Sequence, residues 1–275
     1  MFDDVQNRRK LSLPRKLKLG VDLVRESGVV YFVLLMGYYV SAWAATRLVH
    51  ALASMKAKGV PGVNSIRMNK QIWETWDWNA KGDEWTLSPA WKDSIVRSIM
   101  RPNIPGASDV LEIGPGAGRW TEHLLPIARS YVGVDISAEC VRICEQRFGE
   151  FKDARFHCNS GADLAALSDR SIDRIWSFDV FVHINRAEVA QYVREMRRVM
   201  RPGALAVIHH GDHRGRTGGW RSDLTAEALV QLLVENGLSL ESQVTRWVDV
   251  LTGEQHALEY EDKITVFRKP APESS

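Results

Sequence analysis

From about residue 107 the chain alternates between two hydrophobic periods. Short, mostly apolar runs at 109–113, 131–135, 155–159, 173–178 and 203–209 read as buried strands. Between and after them, 118–127, 138–149, 186–199 and 224–236 carry apolar residues at three- and four-residue spacing and read as helices. The final stretch, 240–250 then 262–268, reads as two strands joined by a loop containing Thr252-Gly253. Strand and helix in alternation predict an α/β fold, a Rossmann-like, doubly wound, mostly parallel seven-stranded sheet. A chain of 275 residues, 45% apolar, can bury a full core for it.

The pattern before residue 107 is different. Residues 8–18 (R-R-K-L-S-L-P-R-K-L-K) hold six basic side chains and no acid. Gly28 to Thr46 then gives nineteen residues with no charge and no histidine. As a helix this run spans about 28 Å, close to a bilayer core. Tyr31, Tyr38, Tyr39 and Trp43 are aromatics suited to a membrane interface. Three readings compete: a signal peptide cleaved near A-W-A at 42–44, a membrane anchor, and a helix that packs on the core or forms an oligomer. Residues 61–106 follow, with Trp73, Trp76, Trp78, Trp85 and Trp91 at no regular period. Such a segment reads as an aromatic cover, in its functional version a lid over a pocket. Ser88-Pro89 starts a helix, as N-cap and first residue. The expected organisation is a helical extension over 1–60, a cover with the first helix over 61–106, and the α/β domain over 107–270.

Net charge is only +2, so the whole chain carries no nucleic-acid signature. The three cysteines, Cys140, Cys144 and Cys158, form no disulfide framework and fit a reducing compartment. Cys140 and Cys144 sit four apart on an expected helix and read as buried thiols.

The candidate chemistry begins at V-L-E-I-G-P-G-A-G-R-W, residues 110–120. An apolar strand stops at Gly114, Gly116 and Gly118, where ligand can approach the backbone. The spacing is neither the dinucleotide G-x-G-x-x-G nor a P-loop. After the next strand, Asp135 is placed to accept two ribose hydroxyls.

E-I-G-P-G-A-G resembles motif I of the class I S-adenosylmethionine-dependent methyltransferases. V-D-I-S at 134–137 resembles their ribose-binding strand end, and C-N-S-G-A-D-L at 158–164 their adenine loop. S-F-D-V-F-V-H-I at 177–184 and M-R-R-V-M-R-P-G-A at 196–204 resemble the motifs around strands four and five. The resemblance covers about residues 107–268. It implies S-adenosylmethionine as cofactor and S-adenosylhomocysteine as product, contacted by Glu112, Gly114, Pro115, Gly116, Gly118, Asp135, Ile136, Asn159, Ser160, Gly161 and Phe178. Glu112 would suit the ammonium, directly or through water, and the following helix N-terminus the carboxylate. Relatives often carry N-D-G where this chain has Asn159-Ser160-Gly161, which shifts the adenine contact toward backbone amides.

Methyl transfer needs an aligned and often deprotonated nucleophile. His183, at the C-terminal end of strand four, is the expected general base. I-H-H-G-D-H at 208–213 falls at the same edge, but adjacent strand residues point apart, so His209 and His210 are read as acceptor-binding and no metal is expected. Trp85, Trp220 and Arg221 complete the expected acceptor site, through stacking and hydrogen bonds. W-D-W-N-A-K-G-D-E-W-T with these segments resembles bacterial small-molecule and glycan O-methyltransferases. The expected reaction is O-methylation of a sugar, glycan or other small polar acceptor, with a membrane lipid or lipid-linked acceptor as the alternative. A nucleic-acid acceptor is not expected, because S-F-D-V stands where an N-P-P-Y-like tetrapeptide would. A non-catalytic cofactor-binding scaffold and a dehydrogenase are the remaining classes. A cytosolic cofactor argues against the signal peptide, and against a simple span with the basic N-terminus inside. A peripheral, monotopic or re-entrant contact through residues 8–46 at the cytoplasmic face meets both constraints.

Overall fold

The computed structural model describes residues 12–212 and 221–271. It divides into two compact units, one up to Leu52 and one from Ala53 onward. The division falls eight residues before the boundary expected at 60.

Helix α1 (Leu13–Ala57) supplies the described part of the first unit from Leu13 on, and its last five residues belong to the second. It is broken once, at Gly28, whose φ of 81° and ψ of 162° are not helical. No residue of α1 is buried.

The second unit opens with α2 (Ile66–Thr75) and α3 (Pro89–Ile95), which continues through a π turn (Val96–Met100) into α4 (Arg101–Asn103). Ser88 caps α3 as its position ahead of Pro89 predicts, its hydroxyl accepting from the Trp91 N–H. The alternating part follows: β1 (Ser108–Ile113), α5 (Thr121–Leu124), β2 (Ala128–Asp135), α6 (Ala138–Phe148), β3 (Ala154–Cys158), β4 (Ile172–Phe181), α7 (Arg186–Val199), β5 (Met200–His210) and α8 (Ala226–Glu235). The tail holds β6 (Ser239–Val244), β7 (Arg246–Val248), β8 (Gln255–Ala257) and β9 (Lys263–Arg268).

Seven strands make one sheet in the order β3-β2-β1-β4-β5-β9-β6. Every pair up to β5 is parallel, and β9 runs antiparallel to both β5 and β6. The strand order reverses between β1 and β4, which opens a crevice at their C-terminal ends.

Period-two alternation assigns each strand residue to a face. Leu111, Ile113, Ile175, Ala206 and Ile208 pack with Val189, Val193, Leu229 and Leu233 of α7 and α8. Val110, Trp176, Phe178, Leu205 and Val207 pack on the other face with Trp91, Ile95 and Met100, and with Leu124, Cys144 and Phe148. Cys140 and Cys144 are buried free thiols, while Cys158 is exposed.

Two elements differ from their expected form. The helix expected over 118–127 is a single turn, because Gly114, Gly116 and Gly118 all hold positive φ and Pro126 soon ends it. The run 240–250 is not one strand. β6 joins the main sheet, and β7 pairs instead with β8 in a separate hairpin whose turn carries Thr252-Gly253.

Candidate functional site

A cavity of about 770 Å³ opens at the C-terminal ends of the central strands. Its floor begins with the loop after β1. Gly114 has φ +72°, and a β-carbon there would collide with Val180. Gly116 has φ +56°, and a β-carbon there would press to 3.2 Å from the Trp78 ring. Only glycine gives this loop both its turn and its closeness to the surrounding walls.

Asp135, at the end of β2, lines the cavity beside the loop although it is largely buried. Its Oδ2 accepts from the Gly116 N–H at 3.0 Å and its Oδ1 from the Ser137 N–H at 2.9 Å. Burial pushes its pKa up to about 6, against the pull of those amides. Pro115, Ile136, Gly161 and Phe178 also line the cavity. These residues and Asp135 together form a narrow cradle with one carboxylate and apolar walls.

Four residues expected in the cradle are not on its wall. Glu112 precedes Ile113 by one position, so it points to the opposite face of the sheet. It is buried there, accepting from Thr121 Oγ1 at 2.7 Å and from the Tyr131 hydroxyl at 2.5 Å. Burial raises its pKa to about 7. Gly118 turns the chain against Phe148 and Arg147. Asn159 braces the loop after β3, donating to Asp163 O and to the Tyr192 hydroxyl at 2.8 Å each, and accepting from Gly161 N at 3.0 Å. Ser160 is exposed and bonds to the Asp163 carboxylate.

The opposite wall comes from the cover. Trp73, Trp76, Trp78 and Trp85 cluster with ring centroids 5.4–6.0 Å apart. Trp73, Trp78 and Trp85 line the cavity, as expected of a lid. The cover is tied down beside the cradle: Glu74 accepts from Ala138 N at 3.1 Å, at the start of α6. The His183 ring lies 5.2 Å from Trp73 and lines the cavity, and its carbonyl accepts from Asn64 and Asn69 at 3.1 and 2.9 Å.

Beyond the cradle lies a buried charged array. Arg119 and Asp179 form an ion pair. Asp179 Oδ1 is 2.9 Å from His209 Nδ1, and His209 Nε2 is 3.3 Å from Asp262 Oδ2. Asp262 accepts from Arg221 at 2.8 Å, and the Arg221 guanidinium lies over the Tyr260 ring at 4.4 Å. Burial opposes the His209 cation, but Asp179 and Asp262 outweigh it and raise its pKa. The Asp179 backbone N–H also points at this Nδ1, at 3.2 Å. Burial likewise opposes ionised Asp179, yet Arg119 and His209 hold it below the ordinary carboxylate range. Asp179 sits at φ +60°, a strained conformation for a non-glycine residue at a strand end.

His209 and Arg221 thus stand where expected. His210 does not: it points to the other face, its Nε2 2.7 Å from Thr265 Oγ1, and burial lowers its pKa to about 4. Trp220 lies outside the described residues. Arg119, Asp179 and Asp262 were missed. Asp179 had a signal, since it stands inside S-F-D-V-F. Asp262 had none, because it meets His209 only through the antiparallel return of β9.

Comparison with known proteins gives four matches. Residues 110–203 match the family described as a methyltransferase domain. The chain is 31% identical over 156 residues to a putative O-methyltransferase of Mycolicibacterium vanbaalenii, covering 54% of this chain and 65% of that one. It is 33% identical over 106 residues to a phosphoethanolamine N-methyltransferase of Triticum aestivum, covering 38% and 21%. The chain spans less than two thirds of the length of either relative. The solved structure of the N-methyltransferase NodS from Bradyrhizobium japonicum, in complex with S-adenosyl-L-homocysteine, superposes with a TM-score of 0.54 at 19% identity. That match covers 69% of this chain and 93% of NodS.

Proposed function

We propose that this chain, a class I S-adenosylmethionine-dependent methyltransferase, methylates a hydroxyl of a sugar, glycan or other small polar acceptor, with His183 as general base. The cradle fits the cofactor. Gly114 and Gly116 leave room where a β-carbon would not fit, and Asp135 offers a carboxylate suited to a ribose diol. Pro115, Ile136, Gly161 and Phe178 would flank its apolar parts. When bound, S-adenosylmethionine supplies an electrophilic methyl group on a sulfonium.

The chain's own residues do the rest. Trp73, Trp78 and Trp85 cover the cavity and exclude water. The array from Arg119 to Arg221 offers fixed charges and planar donors, the equipment for orienting a hydroxyl-rich molecule. His183 would take the hydroxyl proton as the oxygen attacks. Both ring nitrogens of His209 already face carboxylates, those of Asp179 and Asp262, so the base role falls to His183 rather than to His209. The acids beside the loop that face the cavity are Asp135 and Asp179, whereas Glu112 braces Thr121 and Tyr131 behind it.

The observation that carries this reading is a single cavity lined by the glycine cradle, Asp135, His183 and the tryptophan cover. Of the two relatives described, the one matched over the longer stretch is the putative O-methyltransferase. The test is turnover with labelled donor on a panel of sugar, glycan and amine acceptors. Label on oxygen, lost in His183→Ala, supports the proposal, and label confined to amines refutes it. A second reading, a lipid or lipid-linked acceptor handled at the cytoplasmic face of a membrane, draws its support from the exposed helix α1.

A further inference from the structure

Helix α1 is two helices meeting at Gly28. A straight helix would separate residues 20 and 32 by about 18 Å. Instead the Phe32 ring lies 3.5 Å from where a β-carbon on Gly20 would be, so the two arms meet at a bend and not in line. The arms differ in pattern. On the short arm, Leu13, Leu17, Val21 and Val24 recur at helical spacing, while Arg15, Lys18, Asp22 and Arg25 occupy the other side. The long arm has no polar side over its first eighteen residues. Val29, Val30 and Tyr31 point in three directions about 100° apart, and all are exposed. Val30 is 75% exposed, Leu34 68% and Trp43 62%.

A second copy of the chain would need a stripe, with polar residues on the solvent side of the pair. An all-round apolar helix of about 27 Å fits hydrocarbon instead. Charge identifies the kind of surface. No acidic residue occurs between Glu26 and Glu74, while Arg47, Lys56, Lys58, Arg67 and Lys70 do. Residues 1–73 hold twelve Lys and Arg against four Asp and Glu, a net +8, and the remainder of the chain is net −6. An anionic leaflet would repel the acidic remainder and attract this segment.

We propose that α1 is a hinged lipid anchor: residues 29–46 embed in the apolar layer, and the basic arm 13–27 lies along an anionic membrane surface, with Gly28 as the joint. The inference is independent of the acceptor. Gly28 at φ +81° allows the angle between arms that an L side chain would strain.

The test is flotation of the full-length protein with vesicles of phosphatidylcholine alone or with phosphatidylglycerol added. The wild type should float with both, more on anionic vesicles, and should resist a high-salt wash once bound. Replacing Arg15, Lys16 and Lys18 by Gln should weaken binding to anionic vesicles about a hundredfold, at about a factor of five or more per charge, and flatten the salt dependence. Val30→Asp with Leu34→Asp should abolish flotation on both. Unchanged affinity for S-adenosylhomocysteine would show that each variant is folded. Two results overturn the proposal: full-length protein that stays below the gradient while sedimenting as an oligomer that the Asp variant dissolves, or flotation that survives the Asp substitutions.

Discussion

Replacing Asp135 by Asn changes one atom of the cradle and exposes its logic. Both carboxylate oxygens accept a backbone N–H, from Ser137 at 2.9 Å and from Gly116 at 3.0 Å. An amide can satisfy only one of them, because its nitrogen has no lone pair to offer. The other N–H is left buried and unpaired, a cost of about 1–3 kcal/mol. Where that N–H is Gly116's, the loss falls on the glycine loop itself. The ligand also loses a charged acceptor, worth about 1.5–3 kcal/mol. Part of the first cost is borne with or without ligand, so affinity for S-adenosylhomocysteine should fall about ten- to hundredfold. Calorimetric titration measures this, and pH supplies the control. The Asp135 pKa stands at about 6, raised by burial, so the carboxylate is ionised above that value and protonated below it. Wild-type affinity should therefore hold at pH 8 and decline as pH falls through about 6, while the Asn variant's should stay flat. An Asn variant that binds like wild type, together with a flat wild-type profile, would refute the reasoning.

Three further outcomes are expected. His183→Ala should lower turnover by about 10²–10⁴-fold with S-adenosylhomocysteine affinity unchanged, and near-normal turnover would remove His183 from the proton path. Glu112→Gln should alter the pH dependence of stability. With the Glu112 pKa raised from 4.5 to about 7, the folded state keeps a proton that the unfolded state loses, so wild-type stability falls from about pH 4.5 to about pH 7. The loss is on the order of 3 kcal/mol, and the Gln variant should lack it in denaturant melts run across that range. Gly114→Ala places a β-carbon against Val180 at φ +72°, and should cost about 1–3 kcal/mol of stability and most cofactor affinity. A variant with unchanged melting temperature and affinity would show that the loop gives way freely.

The sheet was legible because its signal is local. V-L-E-I before three glycines, and Y-V-G-V-D one unit later, specify strand, turn and ligand edge within a few residues of each other. The tail was misread for the opposite reason: β6 and β9 pair across about twenty residues, and the β7–β8 hairpin sits inside that interval. Glu112 was readable, but it stands behind the cavity wall and not on it. Ile113 is the residue that faces the cavity, and strand alternation sends its neighbour to the other side, toward Tyr131. The same rule sends His210 to Thr265 and leaves only His209 on the cavity wall, although both were read as acceptor-binding. The charged array was beyond sequence reasoning, since Arg119, Asp179, His209 and Asp262 come from four segments that only the folded sheet brings together.

The central claim is that this cavity transfers a methyl group to an acceptor hydroxyl. Its most direct test incubates the purified chain with methyl-labelled S-adenosylmethionine and a glycan and lipid extract, and locates the label in the product by mass spectrometry. The account predicts a methyl ether, formed by the wild type, absent with Asp135→Asn at low cofactor and strongly reduced with His183→Ala. A chain that binds S-adenosylhomocysteine tightly and yet labels nothing, or labels only nitrogen, contradicts it.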